Sequence, residues 1–559
     1  MSGVLAPGLL SIVIVLPLAG GLLLLALPAR AEDLIRRSAI TASLATLVFA
    51  IAAMTLFFQT PTGDRLNLAA GTGEYALVTD IPWFGGEGAL EQVEVRYKIG
   101  LDAISLWLVL LTAVLTPLSI WASFSGIRES VREFYALLLM LETGMIGVFC
   151  AMDLILFYIF FEFTLIPLFF IIGRWGSGER MRAAAKFFIY TVSGSVLTFA
   201  GILAVAYQAY RADGVFTFDL EKLYALAAQG KLSPDFQKWV FLAFAAGFAV
   251  KVPLFPLHTW LPLAHTEAPT AGSVILAGVL LKLGTYGFLR FSLPMLPDAT
   301  LRFAPLGAGI AIAGIIYGAL VAWAQSDIKK LVAYSSVSHL GFCMLGMFSL
   351  TIEGLSGSVV YMLNHGLSTG ALFLLVGMMY ERYHTRRFGQ VGGLARQMPW
   401  FAFFLVFFTL SSIGLPGLNG FVGEILVLLG TVMSTGHRGH LGFAYAAVAA
   451  TGIVLGAVYM LHMTGRVLFG PVVEPEHTPD TSGGLKRDLT AREIGVLAPI
   501  AALCLWIGVY PSHLVTSIQP ALDRQVLARV LNVEPASETH PYGEPLLAGA
   551  PTEDGADGP

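Results

Sequence analysis

The chain has 559 residues, of which 56% are hydrophobic and only 13% charged, and its mean hydropathy is +0.75. A soluble chain of this length would divide into roughly three or four domains and carry about 25% charged residues. Half that charge, with the apolar residues in long blocks, makes this a polytopic membrane protein. The net charge of −4, without long basic runs, points to no nucleic-acid partner. Cys150, Cys343 and Cys504 each lie in an apolar stretch, show no CxxC spacing and fall short of the four thiolates an iron–sulfur cluster usually needs. Neither a GxGxxG turn after a strand nor a GxxxxGK[ST] loop occurs. No cofactor or metal is expected on this chain.

A helix needs about 20 apolar residues to cross the hydrocarbon, which predicts fourteen spans in an all-α fold. In chain order they lie near 8–29, 38–58, 100–124, 133–152, 153–173, 184–209, 237–257, 269–291, 302–324, 327–350, 355–380, 399–431, 440–463 and 491–511. The first reads as a retained helix, because Met1 to Gly8 lacks the positive start of a signal peptide. Fourteen spans put both termini on one side. The larger share of Lys and Arg, including Arg36, Arg128, Arg174, Lys329, Arg382 and Arg487, then falls on the loops opposite the termini, so the positive-inside rule places both termini outside. Lys98 and Arg290 are among the fewer basic residues assigned to the outer side, and Lys251 and Lys282 have no place but the membrane. The tail from about 530 is rich in Asp, Glu, Pro and Gly and carries no Lys or Arg, so disorder is expected there.

A charge at the centre of a lone span costs about 2.5–3.5 kcal/mol on insertion scales, so each one needs an explanation. Glu162, Lys251, Lys282, His339, His365 and Glu424 fall near mid-span on six different segments. Structural readings exist for each: a Glu–Lys pair can be glue, and His339 and His365 have Ser335 and Tyr361 one turn back as hydrogen-bond partners. The set of Glu, Lys and His on adjacent helices is nonetheless what a proton relay requires, because burial and neighbours bring their proton affinities together. Glu142 also falls within a span, with function less favoured. Asp102 and Asp153 stand at span starts, where a carboxylate suits a helix N-terminus. His258 and His265, seven residues apart without a carboxylate, make a weak metal site, and His437 and His440 read as an exposed loop.

Two segments carry signs of a break. The twelfth runs about 33 residues, roughly 50 Å as a helix against about 30 Å of hydrocarbon, and its middle contains Pro416 among glycines. The seventh carries Pro253 and Pro256 directly after Lys251. Unwound backbone at membrane depth is tolerated only where protein or water satisfies it, and paired breaks point to a transporter's ion site. They stand five spans apart, and an odd number implies two inverted five-helix units. The expected divisions are residues 1–132 (three helices and an outer loop), 133–291 and 302–463 (the two repeats), 464–529 (a loop and the last helix) and 530–559 (the acidic tail).

The stretches Phe160-Phe-Glu-Phe-Thr-Leu-Ile-Pro167, Lys251-Val-Pro-Leu-Phe-Pro-Leu-His-Thr-Trp-Leu-Pro262, His265-Thr-Glu-Ala-Pro-Thr-Ala-Gly-Ser273 and Gly278-Val-Leu-Leu-Lys282 resemble the antiporter-like subunits of respiratory complex I, the proton-pumping NADH:quinone oxidoreductase. Ser326-Asp-Ile-Lys-Lys-Leu-Val-Ala-Tyr-Ser-Ser336 and Gly414-Leu-Pro-Gly-Leu-Asn-Gly-Phe-Val-Gly-Glu424 extend the likeness, which spans roughly residues 100–465. The branch called subunit M, or chain 4, is the most similar, because Glu424 stands where sister and sodium/proton antiporter subunits have lysine. The resemblance implies two inverted repeats with broken seventh and twelfth helices. It also implies a proton channel through Glu162, Lys251, Lys282, His339, His365 and Glu424, with Glu162 and Lys251 as a switching ion pair. Its implied partners are the other membrane subunits, sister antiporter-like chains included, with flavin, iron–sulfur clusters and quinone on partner subunits. The implied location is a bacterial cytoplasmic membrane. Leu263 departs from the family's commoner Asp, and the acidic tail is unusual. A multi-chain cation/proton antiporter, or a ferredoxin- or hydrogenase-linked relative of complex I, are the alternatives.

Overall fold

Buried in hydrocarbon, a backbone can satisfy its N–H and C=O groups only within helices or closed barrels, and the long apolar runs of this chain form helices. The computed structural model describes residues 2–59, 75–85, 92–435, 441–475 and 487–532. His437, His440 and the acidic tail from 533 lie outside the described residues. In chain order the elements are α1 (Ser2–Ala26), α2 (Glu32–Gln59), β1 (Ala76–Gly85), β2 (Val93–Leu101), α3 (Ala103–Ala122), α4 (Val131–Cys150) and α5 (Leu154–Trp175). There follow α6 (Arg180–Asp213), β3 (Phe216–Thr217), α7 (Leu220–Ala228), α8 (Pro234–Lys251), α9 (Leu261–Glu267) and α10 (Thr270–Met295). The chain continues through α11 (Pro297–Trp323), α12 (Ile328–Phe348), α13 (Ile352–Tyr383), α14 (Pro399–Ser412), α15 (Asn419–Met433), α16 (Gly442–Leu468), α17 (Ala491–Val509) and α18 (Ser512–Leu522).

Among the described residues, 12 helices are long and apolar enough to cross a membrane. They match twelve of the fourteen expected spans to within a few residues. The two expected spans missing from that set are the seventh and twelfth, those expected to be broken. α8 stops at Lys251 and the chain turns through 252–260 before α9 resumes. α14 stops at Ser412 and α15 starts at Asn419, with Pro416 between them. The interruptions are not left bare: Trp260 Nε1 donates to the Val250 carbonyl at 2.9 Å, and Asn364 Nδ2 donates to the Asn419 carbonyl at 2.5 Å.

The helices with the expected ionisable groups form the interior. α10 and α13 are buried throughout their apolar windows and α12 nearly so, whereas α2, α16 and α17 bury only about a third of theirs or less. α10 and α13 cross where Gly278 and Gly366 meet; a Cβ on Gly366 would lie 2.8 Å from the Gly278 carbonyl oxygen. Small residues at a crossing let backbones approach, as membrane helix packing favours. α10 is not uniformly α-helical: π turns at Leu276–Leu280 and Phe288–Ser292 flank Lys282 and precede the end of the span, a distortion frequent at functional sites.

At one end of the bundle the 59–99 region, expected as a loop, contains a hairpin: β1 pairs antiparallel with β2, and β2 runs parallel to β3. Asp102 caps α3 by accepting from Ser105 N, and Asp153 caps α5 by accepting from Ile155 N and Leu156 N, the structural roles expected of both. Ion pairs fasten this hairpin end. Burial opposes the charge of Lys98, yet Asp219 at 2.7 Å and Glu221 at 2.6 Å hold its ammonium above the usual lysine value. Partial burial also opposes the Glu94 carboxylate, but Lys222 at 2.6 Å, with Thr217 and Arg96, holds it below the usual carboxylate range.

Two basic residues expected on solvated loops are buried within the protein. Arg290, assigned to the outer loops, belongs to α10, is buried, and pairs with Asp102 at 2.5 Å. It also donates to Tyr286 and Tyr75 at 3.2 Å and to Gln525 on the C-terminal helical segment. Asp102 and these hydroxyls replace water around the buried guanidinium, and α10 continues past it to Met295. Lys329, assigned to a loop at the opposite, cationic end, is buried at the start of α12 and donates to the Ala268 carbonyl at 2.6 Å.

Candidate functional site

Five helices meet around the centre of the interior. Lys282 of α10 donates to the Ala277 carbonyl at 2.5 Å and lies 2.6 Å from Nδ1 of His365 on α13. The His365 ring is 5.7 Å, centroid to centroid, from that of His339 on α12. His339 Nδ1 is 2.6 Å from the Tyr361 hydroxyl, which donates to Glu424 Oε1 on α15 at 2.9 Å. Four of the six expected groups are thus brought into one file across the break between α14 and α15. A small cavity of about 10 Å³ lies beside it, lined by His339, Tyr361, His365, Ser411, Ser412 and Gly420 among others. That is about the space one water occupies, and His365 Nε2 and Asn364 Oδ1 are buried without a protein partner.

The break shapes this end of the file. Gly414 has φ +73°, in the left-handed region that glycine enters freely. A Cβ there would fall well inside van der Waals contact with Glu424 Oε2. The bare Cα of Gly414 is what leaves room for the second carboxylate oxygen. On the far side, Ser412 Oγ and the Tyr459 hydroxyl approach His339 Nε2 at 3.2 and 3.5 Å.

Glu162 and Lys251 stand apart from the file. Lys251 donates to Thr164 Oγ1 at 3.4 Å and lies 4.7 Å over the Phe161 ring, a cation–π contact. Glu162 makes no ion pair with Lys251, and its Oε1 is buried without a protein partner. The expected ion pair is therefore open in this structure. The carboxylate of Glu162 and the ammonium of Lys251 lie on α5 and α8, which flank the interior rather than form its centre. Glu142 accepts from Ser43 Oγ at 3.2 Å and does not reach the file.

At the cationic end a cavity of about 590 Å³ is lined by Ser125, Glu267, Lys329, Glu381, Arg382 and Arg386, among others. Its lining includes Glu267, Ala268, Pro269 and Thr270 at the α9–α10 junction. His265 of α9 is fully buried, stacked 4.6 Å from Phe373 with both ring nitrogens unpartnered. Glu267, two residues on in the same short helix, is part of the cavity lining. His258 instead stacks on Phe255. Among the described residues no group of three His, Cys, Asp or Glu could hold a metal ion.

Sequence reasoning missed three participants. Tyr361 registered only as a neighbour of His365, four residues back, and its reach to Glu424 depends on how α13 and α15 pack. Arg290 could have been flagged as a second basic residue, two turns beyond Lys282, on an apolar segment. His265 was weighed as a metal ligand, and only the burial of both ring nitrogens without a partner distinguishes it.

The family model described as NADH:quinone oxidoreductase/Mrp antiporter, TM matches residues 151–437. The chain belongs to this family. It is 42% identical over 503 residues to the NADH-ubiquinone oxidoreductase chain 4 of Marchantia polymorpha, covering 90% of this chain and 94% of that protein. To the NADH-quinone oxidoreductase subunit M of Rhodobacter capsulatus it is 45% identical over 435 residues, 77% of this chain and 82% of that one. Among solved structures, a chain of respiratory complex I from Thermus thermophilus with bound NADH superposes with a TM-score of 0.78 at 31% identity, covering 93% of this chain and 99% of that chain. A chain of the Mrp complex from Dietzia sp. DQ12-45-1b has the same fold, with a TM-score of 0.76 at 20% identity over 94% of this chain and 100% of that one.

Proposed function

We propose that this chain is the proton-translocating membrane subunit of an NADH:quinone oxidoreductase, the counterpart of subunit M or chain 4. The observation that carries the reading is the buried file from Lys282 through His365 and His339 to Glu424, inside a chain whose named relatives at 42% and 45% identity are subunits of that enzyme. Nothing on this chain performs redox chemistry in this reading. Flavin, iron–sulfur clusters and quinone belong to partner subunits, and sister antiporter-like chains lie alongside in the membrane.

Protons enter from the cavity at the cationic end, which faces the cytoplasm, and reach Lys282 and His365 by way of His265. They pass to His339 and leave from Glu424 toward the hairpin end. Lys251 and Glu162 form a lateral pair whose closing and opening alters the charge felt by Lys282; the open arrangement is the one seen. The fourteen spans, with α8–α9 and α14–α15 as the broken seventh and twelfth, divide at 133–291 and 302–463 into two inverted repeats in a bacterial cytoplasmic membrane, with both termini outside.

The second reading, a subunit of a multi-chain cation/proton antiporter, has the Mrp fold likeness in its favour, but that rests on 20% identity. Copurification decides between them. Tagged chain extracted in mild detergent brings flavin, iron and NADH:quinone activity with it under the proposal; hydrophobic partners without a redox centre would overturn it.

A further inference from the structure

Between His339 and Glu424 the file passes through one side chain outside the expected set. We propose that Tyr361 is itself a proton carrier, a hydroxyl relay joining the imidazole of His339 to the carboxylate of Glu424. The proposal rests on the proton-translocating reading above and adds a residue to it. Its phenol oxygen is 2.6 Å from His339 Nδ1 and 2.9 Å from Glu424 Oε1, both within ordinary hydrogen-bond range. A buried tyrosine hydroxyl is satisfied by a single partner; this one is shared by two titratable groups on two other helices, α12 and α15.

The ring is packed against α12 and α15, the two helices whose groups its oxygen meets. A Cβ on Gly423 would lie 2.6 Å from Tyr361 Cδ2, so the missing side chain next to Glu424 lets the ring lie directly against α15. Phe342 meets the ring edge-on at 5.9 Å, and the His339 ring lies 5.8 Å away. Ser412 and Tyr459 approach the other nitrogen of His339, which leaves Nδ1 to Tyr361.

The step balances without a phenolate. With His339 as an imidazolium, the Nδ1–H bond breaks as its proton bonds to the phenol oxygen. The phenol's own O–H bond breaks, and that proton bonds to Glu424 Oε1. One proton has moved, an imidazolium and a carboxylate have become a neutral imidazole and a neutral acid, and no electron has been transferred. The phenol is chemically unchanged, its hydrogen now facing His339, and rotation about the C–O bond resets it.

The test uses the whole complex, purified and reconstituted in liposomes, with NADH oxidation and proton uptake recorded together. Losing a positioned proton-transfer group slows its step by on the order of 100-fold. Tyr361→Phe is therefore expected to lower the protons moved per NADH to the level of Glu424→Gln, with the double variant no lower than either. Tyr383→Phe, which removes a hydroxyl on the same helix that bonds Glu474 outside the file, is expected to keep the wild-type ratio. A Tyr361→Phe complex with the wild-type ratio, beside a Glu424→Gln complex that has lost it, overturns the proposal and leaves the relay reading standing. A Glu424→Gln complex that pumps normally overturns both. One further measurement separates a carrier from a structural hydroxyl: a more acidic fluorinated tyrosine at 361, close to it in shape, is expected to change the pumping rate, whereas a hydroxyl that only fills space and bonds Glu424 would leave it unchanged. If Tyr361→Phe fails to assemble, the fluorinated residue decides: an unchanged rate overturns the proposal.

Discussion

Replacing Asp102 by Asn removes the charge opposite Arg290 while keeping a residue able to cap α3. The carboxylate and guanidinium are 2.5 Å apart, with side chains 1% and 3% exposed. At that distance an effective dielectric of about 20 gives a gross attraction of roughly 6–7 kcal/mol, most of it offset by the desolvation of both ions. The measurable quantity is the cost of stranding the arginine, about 3–5 kcal/mol for a buried pair broken on one side. Tyr75, Tyr286 and Gln525 remain as acceptors and bring the expected loss to the lower end, about 3 kcal/mol. Asp102→Ala also loses the cap on Ser105 N and is expected to cost about 1 kcal/mol more. The double variant Asp102→Leu/Arg290→Met is expected to recover most of the loss, because the stranded charge goes with its partner. Unfolding of the purified chain by sodium dodecyl sulfate in mixed micelles, followed by tryptophan fluorescence, measures each value. A cost for Asp102→Asn below about 1 kcal/mol, or a double variant no better than the single, would refute the buried-pair account.

Gly414→Ala is expected to displace the Glu424 carboxylate and cost about 1–2 kcal/mol from the left-handed backbone alone, and it should lower proton translocation at unchanged NADH oxidation; an unaltered ratio in reconstituted complex would count against the cradle. Glu142→Gln keeps an acceptor for Ser43 and is expected to leave the pumping ratio intact in the same assay. The hairpin end should respond to pH at two extremes. Glu94 sits below its ordinary value, so its contribution is complete above the usual carboxylate range and lost as pH falls through the depressed value; Lys98 sits above its ordinary value, so its contribution is complete below the usual lysine value and lost as pH rises through the raised one. Protease cutting of the hairpin across pH should therefore stay flat through neutrality and rise only in strong acid or strong base.

Much of this architecture is legible from composition because hydrocarbon leaves so few options. Length and hydropathy placed the spans, and the run of about 33 residues around Pro416 revealed the break between α14 and α15. The cost of a buried charge picked out Lys282, His339, His365 and Glu424, which the structure brings together. It also picked out Glu162 and Lys251, but not their separation, since whether two helices bring their charges within reach is a matter of rotation and depth. The burial of Arg290 was missed because a basic residue near the end of a span reads as a boundary, and its partner Asp102 is 188 residues away. The hairpin escaped notice although Val93-Glu-Val-Arg-Tyr-Lys-Ile-Gly-Leu101 alternates cleanly; its partner Ala76–Gly85, with Pro82 and Gly85, does not, and one alternating run without a visible partner reads as loop. Tyr361 escaped because a tyrosine in a membrane helix costs little and so draws no attention until its neighbours are known.

The central claim is that protons cross the membrane through the buried file of this chain while the electrons travel elsewhere in the complex. The most direct measurement compares wild-type and Lys282→Met complexes in sealed liposomes, recording proton uptake and NADH oxidation in the same sample. The account predicts an assembled complex with its full flavin and iron content that moves fewer protons per NADH. A Lys282→Met complex with the wild-type ratio would contradict it.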